Sequence, residues 1–424
     1  MPHPRVLITG TGFVTSIGND RASVTDSLRH ARHGIEVFPE LPQDVGICGL
    51  AGTLKGFSFS GARCEDWTLP PGLVIDRNHL RSMSPHVVCA CHAMDQAIAE
   101  SGLTADQVSH PRTGAMCASG GSMSTVYENL QVMETRGVHR CYPLALPAGI
   151  PGTLNSNLAA KYKLKGAVLG FASACASSAH ALGYAYDQIM LGRQDIVFVV
   201  GAEDCNRTSI LPFAAVRALS TRNDPQTVPC PFDAQRDGFV ATGGATVLVL
   251  ESETSAQKRG AKPLAEVLGW GEAADGFNVM APEPHGEGLG RAMNNALQSA
   301  GLDTNGIDYL NAHATGTTVG DTAEIRAIQR VFTTGRLPWI SSTKALTGHG
   351  LCLAGAMEAA FCVLSLKEGF MPVSAKISRL DPEFEGVPIL TKPVDAAPHT
   401  AMTNSSGFGG SNVSVILRKW QATA

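Results

Sequence analysis

Cys175 is the residue whose setting points most directly to chemistry. It lies in a run of small residues, 171–180, between a strand-like approach and a helix. A thiol at the start of a helix meets unpaired backbone N–H groups and the positive end of the helix dipole, which favour the thiolate. Free cysteines are also common as small core residues. The sequence therefore predicts a nucleophile only if other reactive groups join Cys175.

His313 is a second candidate, in a polar segment that follows the strand-like residues 307–310 and precedes a helix. Functional residues favour such edges of a sheet. Thr315 and Thr317 follow it, and their hydroxyls could hold a polar ligand. The alternative is a histidine in a turn beside threonines that cap the helix.

His349 and Lys344 lie in the segment 341–350, again after a strand and before an alanine-rich helix. The glycine-rich segment 404–412 follows near the end of the chain. Its glycines allow backbone N–H groups to approach a reacting carbonyl oxygen, which is what an oxyanion hole requires.

The elements that must position these residues alternate between short β-branched runs and helix-periodic stretches, which is typical of an α/β fold. The pattern restarts after a polar stretch at 251–255, which predicts two α/β halves, 1–255 with Cys175 and 256–424 with both histidines. Residues 38–75 are dotted with glycine and proline and predict a long excursion from the first half. The predicted strands are 6–8, 195–200, 262–270, 309–311, 337–341 and 412–418, and the predicted helices are 20–32, 84–101, 123–136, 176–192, 287–300, 321–332 and 352–368.

Composition excludes several classes of protein. The chain has 424 residues, of which 44% are hydrophobic and 17% charged, and a net charge of −4 argues against a nucleic-acid-binding protein. Apolar runs are far below the ~18 residues of a membrane span. Eleven cysteines without a regular spacing, and no apparent secretory leader, predict reduced thiols and a cytoplasmic location.

Two cofactor motifs are incomplete. Cys89, Cys91 and His92 have close spacing but no matching second pair, so an apolar helix explains them better than a metal site. Gly10 and Gly12 lack the third glycine of a dinucleotide loop, because position 15 is threonine. We therefore expect neither a metal nor a nucleotide cofactor.

Together, the segments around Cys175, His313, Lys344, His349 and the glycine turn resemble the motifs of the β-ketoacyl-acyl carrier protein synthases, in the elongating type I/II group, and they occur in the same order. The resemblance covers nearly the whole chain. It implies the thiolase fold, with two similar βαβαβαββ halves in a five-layer α-β-α-β-α sandwich. It also implies a homodimer, with its interface near 195–200.

The resemblance implies a decarboxylating Claisen condensation in fatty acid elongation. Cys175 would hold the acyl chain as a thioester, and malonyl-acyl carrier protein would supply the enolate. His313 and His349, as neutral imidazoles, would stabilise the enolate through their Nε2 atoms. The N–H groups of Cys175 and Phe408 would form the oxyanion hole, with the Phe408 ring as a gate. No cofactor is implied, since the phosphopantetheine arrives on the carrier protein.

Further residues receive roles only by the same resemblance. Lys344 would support the histidine pair through a partner glutamate, for which Glu358 is at the matching position. Thr315 and Thr317 would bind the phosphopantetheine arm. The polar support beneath that loop would come from Asp321 and Glu324.

Selectivity and docking complete the implied assignments. Gly121 occupies a pocket-wall position that carries a larger residue in many type II synthases, which predicts a less obstructed acyl pocket. Ser406 departs from the phenylalanine usual before the glycine turn. Arg77 and Arg81 match the basic segment that docks acyl carrier protein. The lysines at 161, 163 and 165 form a second basic cluster, which could face the same partner; the alternative is a charged surface exposed to solvent.

Three alternatives remain beside this interpretation. The same chemistry in a dedicated polyketide or aryl-polyene pathway is the nearest, because the excursion 38–75 is unusually long. A non-catalytic partner subunit that sets chain length would lack the nucleophile, whereas Cys175 is present. A degradative thiolase would need a second reactive cysteine in the glycine turn, where this chain has Ser405, Ser406 and Phe408.

Overall fold

A computed structural model describes residues 5–42, 46–61, 64–333 and 335–421. The strands in these ranges are β1 (Val6–Val14), β2 (Ile35–Val37), β3 (Leu50–Gly52), β4 (Ser58–Phe59), β5 (Trp67–Thr68), β6 (Thr113–Ala118), β7 (Val168–Phe171), β8 (Ile196–Glu203), β9 (Gly244–Ser252), β10 (Ala265–Ala274), β11 (Tyr309–Asn311), β12 (Trp339–Ser341), β13 (Thr400–Gly407) and β14 (Ser411–Lys419).

The α-helices in the same ranges are α1 (Arg21–Arg29), α2 (Arg77–Leu80), α3 (Pro85–Ser101), α4 (Ala105–Val108), α5 (Met123–Arg136), α6 (Ala145–Gly149), α7 (Thr153–Tyr162), α8 (Ser177–Met190), α9 (Arg207–Ile210), α10 (Pro212–Ala215), α11 (Glu253–Arg259), α12 (Glu287–Ala300), α13 (Thr318–Val331), α14 (Lys344–Thr347) and α15 (Ala354–Glu368). Short 3₁₀ helices cover Cys64–Asp66, Val138–Arg140, Thr304–Gly306, Leu351–Leu353 and Pro382–Phe384.

The two halves of the chain repeat one topology. The first half runs β1-α3-β6-α7-β7-α8-β8-β9 and the second β10-α12-β11-α13-β12-α15-β13-β14, each a βαβαβαββ unit with shorter elements between. Their strand orders also correspond, β7-β6-β8-β9-β1 against β12-β11-β13-β14-β10. β1 and β10 pair antiparallel through residues 6–8 and 265–267, which joins the two half-sheets. The duplicated α/β architecture predicted from the sequence is confirmed.

The layers are defined by which helices touch both half-sheets. α8 and α15 contact strands of both, so they form the central layer. They approach closely, since a Cβ on Gly355 would lie 2.5 Å from the backbone N of Ala179. α3 and α7 cover the first half-sheet, and α12, with α13 packed on it, covers the second. The result is the five-layer thiolase fold.

The helix α11 lies at the predicted boundary between the halves. Residues 255 and 256 lie inside α11, so the first half ends with that helix and the second begins at β10. The polar stretch at 251–255 marks the end of β9 and the first turn of α11. Ser252 caps α11 by accepting from the N–H of Ser255. The polarity therefore reflects helix capping.

The excursion at 38–75 contains short strands within its described residues. β3 pairs with β2, which lies just before the excursion, and β4 pairs with β5, both antiparallel. Phe57, Phe59 and Trp67 pack on one another and against the core on that side of the first half-sheet. The segment thus covers the outer face near α3.

Residues 195–200, where the dimer interface is expected, lie almost entirely in the interior strand β8. β8 pairs with β6 on one side and with β9 on the other, and all its residues are buried. A continuous apolar run is typical of such an interior strand. The strand at the free end of the first half-sheet is β7, where Leu169 is 52% exposed.

Candidate active site

The nucleophile turn connects β7 to α8. Ala174 adopts φ +48°, and Cys175 is the next residue. The helix begins two residues after Cys175, at Ser177. The predicted position at a helix start is therefore present. Burial raises the pKa of Cys175 to about 12, and the nearby Lys344 lowers it by less than burial raises it. The raised pKa favours the thiol over the thiolate that the helix start predicts.

His349 is the direct partner of the thiol. Its Nε2 lies 3.0 Å from Cys175 Sγ. The ring packs edge-on against Phe239, with centroids 5.2 Å apart, and against His313 at the same distance and an interplanar angle of 86°. Both histidines lie more than 130 positions after Cys175 in the sequence, and the structure brings the three residues into one cluster.

Both imidazoles are neutral in this setting. Burial lowers the pKa of His349 well below its usual value, and the positive charge of Lys344 lowers it further. The same two causes, with His349 as a third, lower the pKa of His313. A neutral imidazole presents one N–H donor and one acceptor nitrogen.

The carboxylate of Glu324 fixes the backbone at His313. It accepts hydrogen bonds from the N–H of His313 at 2.9 Å and of Ala314 at 2.7 Å. Asn404 Nδ2 donates to the same carboxylate at 3.0 Å. Since Glu324 lies on α13, the helix holds the loop that carries the histidine.

Asp321 holds the next turn of that loop. Its carboxylate accepts from the N–H of Gly316 at 3.1 Å and of Phe232 at 3.0 Å. Burial raises its pKa to about 6, although Arg236 and these hydrogen bonds oppose the shift. Asp321 and Glu324 therefore act on the loop's backbone, as polar support.

Lys344 lies behind the histidines rather than beside the thiol. Its ammonium group forms an ion pair with Glu358 of α15, and both side chains are fully buried. Burial raises the pKa of Glu358 to about 7, while Lys344 lowers it. The ion pair places a positive charge close enough to lower the pKa of both histidines.

A cavity of about 340 Å³ opens onto the cluster. Among the predicted site residues, its lining includes Cys175, His313, Thr315, Thr317, Glu324, His349 and Phe408. The hydroxyl of Thr315 donates to that of Thr317 at 3.2 Å. The other walls are largely apolar, with Val216, Met280, Leu289 and Val319. Such a lining suits an extended chain that ends at the thiol.

The glycine turn lies directly against the nucleophile turn. A Cβ on Gly407 would come within 2.5 Å of the carbonyl oxygen of Ser173 and 3.1 Å of the backbone N of Cys175. Only glycine allows this approach. The ring of Phe408 borders the cavity and lies 6.1 Å from that of Phe213. The backbone of the turn is thus beside the thiol, where the predicted oxyanion hole requires it.

Gly121 is not among the lining residues of this cavity. It has φ +79°, and a Cβ there would lie 2.7 Å from the carbonyl oxygen of Gly149. Backbone conformation and close packing therefore explain the glycine. Its predicted effect on pocket size stays a prediction.

The predicted docking residues lie apart from the cavity. Arg77 and Arg81 are exposed at the two ends of α2, and Arg77 reaches Glu65 at 3.4 Å. Of the lysine cluster, Lys163 and Lys165 are exposed. Lys161 is a mostly covered side chain that pairs with Asp95 at 3.5 Å and packs over the ring of Tyr162, which weakens the case for a single docking cluster.

Sequence reasoning missed several groups around the thiol. Phe239 comes from a turn-rich stretch. Ser173 Oγ lies 2.8 Å from His180 Nδ1, and His180 Nε2 lies 3.0 Å from Glu272 of β10. His180 follows Cys175 by five residues and lies on α8, and this closeness in sequence could have drawn attention to it. Glu272 could only be found from the fold.

Neither a metal centre nor a membrane span appears in the part of the chain that the structure describes. No group of three or more histidine, cysteine or acidic side chains is arranged to hold a metal there. Cys89 and Cys91 lie buried within α3, as expected of an apolar helix. No helix in those ranges is long and apolar enough to cross a membrane.

Comparison with known proteins assigns the chain to a family. The β-ketoacyl synthase N-terminal domain matches residues 3–256 and the C-terminal domain matches residues 264–378. The protein belongs to the β-ketoacyl synthase family, a class of condensing acyltransferases.

Individual relatives agree over the whole length. The 3-oxoacyl-acyl-carrier-protein synthase 1 of Haemophilus influenzae is 39% identical over 421 residues, 98% of this chain and 99% of that protein. A β-ketoacyl synthase from Burkholderia phymatum STM815 superposes with a TM-score of 0.89 at 32% identity, covering 99% of this chain and 100% of that one. The ishigamide ketosynthase/chain length factor superposes with a TM-score of 0.87 at 27% identity and the same coverage.

Proposed function

We propose that the protein is a 3-oxoacyl-acyl carrier protein synthase that elongates fatty acyl chains. The reaction transfers an acyl group to Cys175 and condenses it with a malonyl thioester, with loss of carbon dioxide. The observation that carries the proposal is the 3.0 Å contact of Cys175 Sγ with His349 Nε2 in a cavity that His313 also lines. The names of full-length relatives support the same reaction.

Acyl transfer begins from a neutral pair. Because burial raises the pKa of Cys175, the thiol loses its proton to His349 as sulfur attacks the thioester carbonyl. The C–S bond to the carrier then breaks, and the departing thiolate takes up that proton. The acyl group is now a thioester on Cys175, and His349 is neutral again.

Condensation uses the histidines as hydrogen-bond donors. After acyl transfer Cys175 has no thiol proton left to give to His349, and each imidazole in the neutral tautomer with its proton on Nε2 directs that N–H at the thioester oxygen of the malonyl group. Negative charge develops on this oxygen as carbon dioxide leaves. The enolate carbon attacks the acyl carbonyl on Cys175, whose oxygen faces the N–H groups of Cys175 and Phe408. The C–S bond breaks, and the departing thiolate takes a proton from water to restore the thiol, so that each condensation consumes one proton.

A variant of the nucleophile should lose acyl transfer and keep decarboxylation, and so separate the two steps. We expect Cys175→Ala to abolish acyl transfer while malonyl decarboxylation stays measurable, because both histidines are retained. Radiolabelled acyl transfer and release of labelled carbon dioxide measure the two steps. Cys352→Ala removes a neighbouring thiol and serves as the control. Full condensation by Cys175→Ala would refute the mechanism.

Acyl carrier protein is the proposed partner. It is acidic, so its docking needs local positive charge. Arg77 and Arg81 supply exposed charge near one another on α2. We expect Arg81→Glu to raise KM for carrier-bound substrates more than for small thioester mimics. Arg193→Glu, at an exposed arginine of another loop, is the control. Equal effects of Arg81→Glu on both substrate types would contradict this assignment.

A homodimer is the proposed assembly, through the edge strand β7 and the exposed apolar side chains of α5. An exposed strand edge is a template for pairing with a second copy. α5 adds exposed apolar side chains, among them Tyr127 and Leu130. We expect Leu169→Arg to yield monomers by light scattering. Leu191→Arg, at an exposed leucine after α8, should leave the dimer intact, and a dimer in both variants would exclude this face.

We place the protein in the cytoplasm. All eleven cysteines are free thiols in the structure, which is typical of a reducing compartment. Fractionation of the producing cells with antibody detection tests this location. Detection with the secreted or membrane fraction would exclude it.

A second candidate is the same reaction in a dedicated polyketide or aryl-polyene pathway. The similarity to the ishigamide ketosynthase/chain length factor favours it, as does the excursion over the outer face. A series of acyl-carrier substrates of increasing length and oxidation state separates the candidates. A fatty acid enzyme accepts a range of saturated chains, whereas a dedicated enzyme discriminates against them.

A further inference from the structure

Arg236 is a buried arginine behind the loop 313–317. Its side chain is 2% exposed and does not line the active-site cavity. All five of its N–H donors have acceptors, and three of these acceptors lie at the end of the loop and in the first turns of α13. They are the carbonyl oxygen of Thr317 at 3.4 Å, the carbonyl oxygen of Thr318 at 3.1 Å and the hydroxyl of Thr322 at 2.9 Å. One guanidinium group therefore fixes the end of the loop to the start of the helix.

The other two donors anchor the guanidinium group itself. Its Nη1 donates to the carbonyl oxygen of Asp233 at 2.9 Å and to Asp381 Oδ2 at 2.6 Å. The group also packs over the ring of Phe384, with 4.8 Å between Cζ and the ring centroid. Because the guanidinium group is planar and its donors form a rigid fork, these anchors determine where its other N–H groups point.

The backbone next to Arg236 contacts the same loop. The N–H of Gly238 donates to the carbonyl oxygen of Gly316 at 2.9 Å, and Thr318 Oγ1 donates to the carbonyl oxygen of Arg236 at 3.3 Å. A Cβ on Gly316 would lie 3.2 Å from the carbonyl oxygen of Gly238, so the two segments are closely packed. Residues 236–238 thus hold residues 316–318 by at least one hydrogen bond each.

The hydroxyl of Thr317 is not used to cap the helix that follows it. Thr317 directly precedes α13, and its side chain makes no capping hydrogen bond there. It accepts instead from Thr315 Oγ1 at 3.2 Å, and both side chains line the active-site cavity. The alternative of a helix-capping threonine is therefore wrong for Thr317. The loop that Arg236 fixes presents two hydroxyl groups to the cavity.

We propose that Arg236 is a positioning residue for the phosphopantetheine arm. It holds the backbone of residues 316–318 so that Thr315 and Thr317 direct their hydroxyls at the amide groups of the arm. This inference rests on the proposed function and on the predicted role of the two threonines. Arg236 itself does not touch the substrate. Because Glu324 holds His313 by separate hydrogen bonds, loss of Arg236 weakens binding of the arm and leaves the chemistry of the histidines unchanged.

The test measures decarboxylation of two thioesters that carry the same malonyl group. Malonyl-pantetheine has the amide groups of the arm, whereas the malonyl thioester of ethanethiol has none for the threonines to bind. Arg236→Lys keeps the charge but has three donors in place of five. We expect this variant to raise KM for malonyl-pantetheine about tenfold and to change kcat less than about twofold. Both constants for the ethanethiol ester should stay at their wild-type values.

Two further variants accompany Arg236→Lys. Arg259→Lys makes the same change at an arginine that is 10% exposed, pairs with Glu251 and lies outside the cavity lining, so it should leave all four constants unchanged. Asp381→Asn keeps Arg236 but weakens one of its anchors, and should raise KM for malonyl-pantetheine about threefold. This variant provides the same comparison if Arg236→Lys does not fold.

A threonine-free background separates positioning from a general loss of stability. Thr315→Val and Thr317→Val together remove both hydroxyls. In that background Arg236→Lys should raise KM for malonyl-pantetheine no further, because the groups that it positions are already absent. An arginine with only a structural role would add its own loss in either background.

Three results overturn the inference. The first is a wild-type KM that is the same for both thioesters, a measurement that needs no variant. The second is an equal rise of KM for both thioesters, or no rise for either, in folded Arg236→Lys or Asp381→Asn protein. The third is a full additional loss in the threonine-free background. If the wild-type protein decarboxylates neither thioester, the proposed function fails as well, whereas normal wild-type decarboxylation with any of the three results refutes only the role of Arg236.

Discussion

The buried ion pair between Lys344 and Glu358 allows a sharp test of how the site controls its histidines. We consider Lys344→Met, which removes the ammonium group and leaves a side chain of similar length. Lys344 lowers the pKa of both His313 and His349. Without it, both pKa values rise toward the usual range. Because neutral imidazoles are the active form, the acid limb of the pH–rate profile should move to higher pH.

The same variant carries a cost in stability. Both partners of the ion pair are fully buried, and removal of one partner from such a pair costs about 3–5 kcal/mol. A chain of 424 residues has an unfolding entropy of about 0.9 kcal/mol/K, so Tm should fall by about 3–6 °C. Lys344→Met combined with Glu358→Leu removes both charges. That double variant should recover most of the lost stability, since an apolar replacement of a buried pair is often neutral or stabilising.

Two measurements separate the effects. Thermal unfolding reports the stability of each variant, and malonyl decarboxylation between pH 4.5 and 8 reports the protonation of the histidines. We expect the double variant to unfold near the wild-type temperature while its acid limb stays shifted. An acid limb that coincides with the wild type in both variants would refute the electrostatic role of Lys344.

Three further predictions concern the nucleophile turn. Gly407→Ala should lower the rate of acyl transfer at least about tenfold in single-turnover assays, because the added Cβ would meet the carbonyl oxygen of Ser173. Gly290→Ala is the control, since a Cβ has room there, and it should leave the rate unchanged. Alkylation of Cys175 by iodoacetamide, followed by mass spectrometry, should accelerate with pH up to about pH 11, and a plateau below pH 8 would contradict the raised pKa. His180→Gln should slow acyl transfer roughly threefold to tenfold but leave decarboxylation unchanged, because His180 contacts Ser173 and not the histidine pair. Equal losses in both assays would show that His180 does not act through the nucleophile turn.

Local patterns were sufficient for much of the fold. The helices predicted at 123–136 and 287–300 match α5 and α12 exactly in their bounds, because their ends carry the usual signals, such as Gly137 and Gly301 after the last turn. The helix predicted at 321–332 begins earlier, at Thr318, since Thr317 precedes it in an extended conformation. The two halves followed from the restart of the α/β alternation.

The reactive residues could be predicted as separate motifs, but their electrostatics could not. The thiolate form of Cys175 was expected from the helix start, which is a local feature. Its raised pKa comes from burial between the two halves, and this depends on the packing of α8 against α15. The expected position of the dimer interface depends on packing in a similar way. An apolar run identifies β8 as a buried strand, but only the strand order shows that β7 lies at the edge.

The site emerges as a neutral assembly around one buried positive charge. Burial keeps the thiol protonated and both imidazoles uncharged, so the resting cavity holds donors and acceptors without a free ion beside the nucleophile. Lys344 forms an ion pair with Glu358, and its positive charge lowers the pKa of both histidines further, which favours their neutral form. During decarboxylation and condensation, negative charge develops on the substrate oxygens, where fixed N–H groups meet it without reorganisation. The glycine turn contributes by geometry alone, because Gly407 brings its backbone against Cys175 and adds no ionisable group.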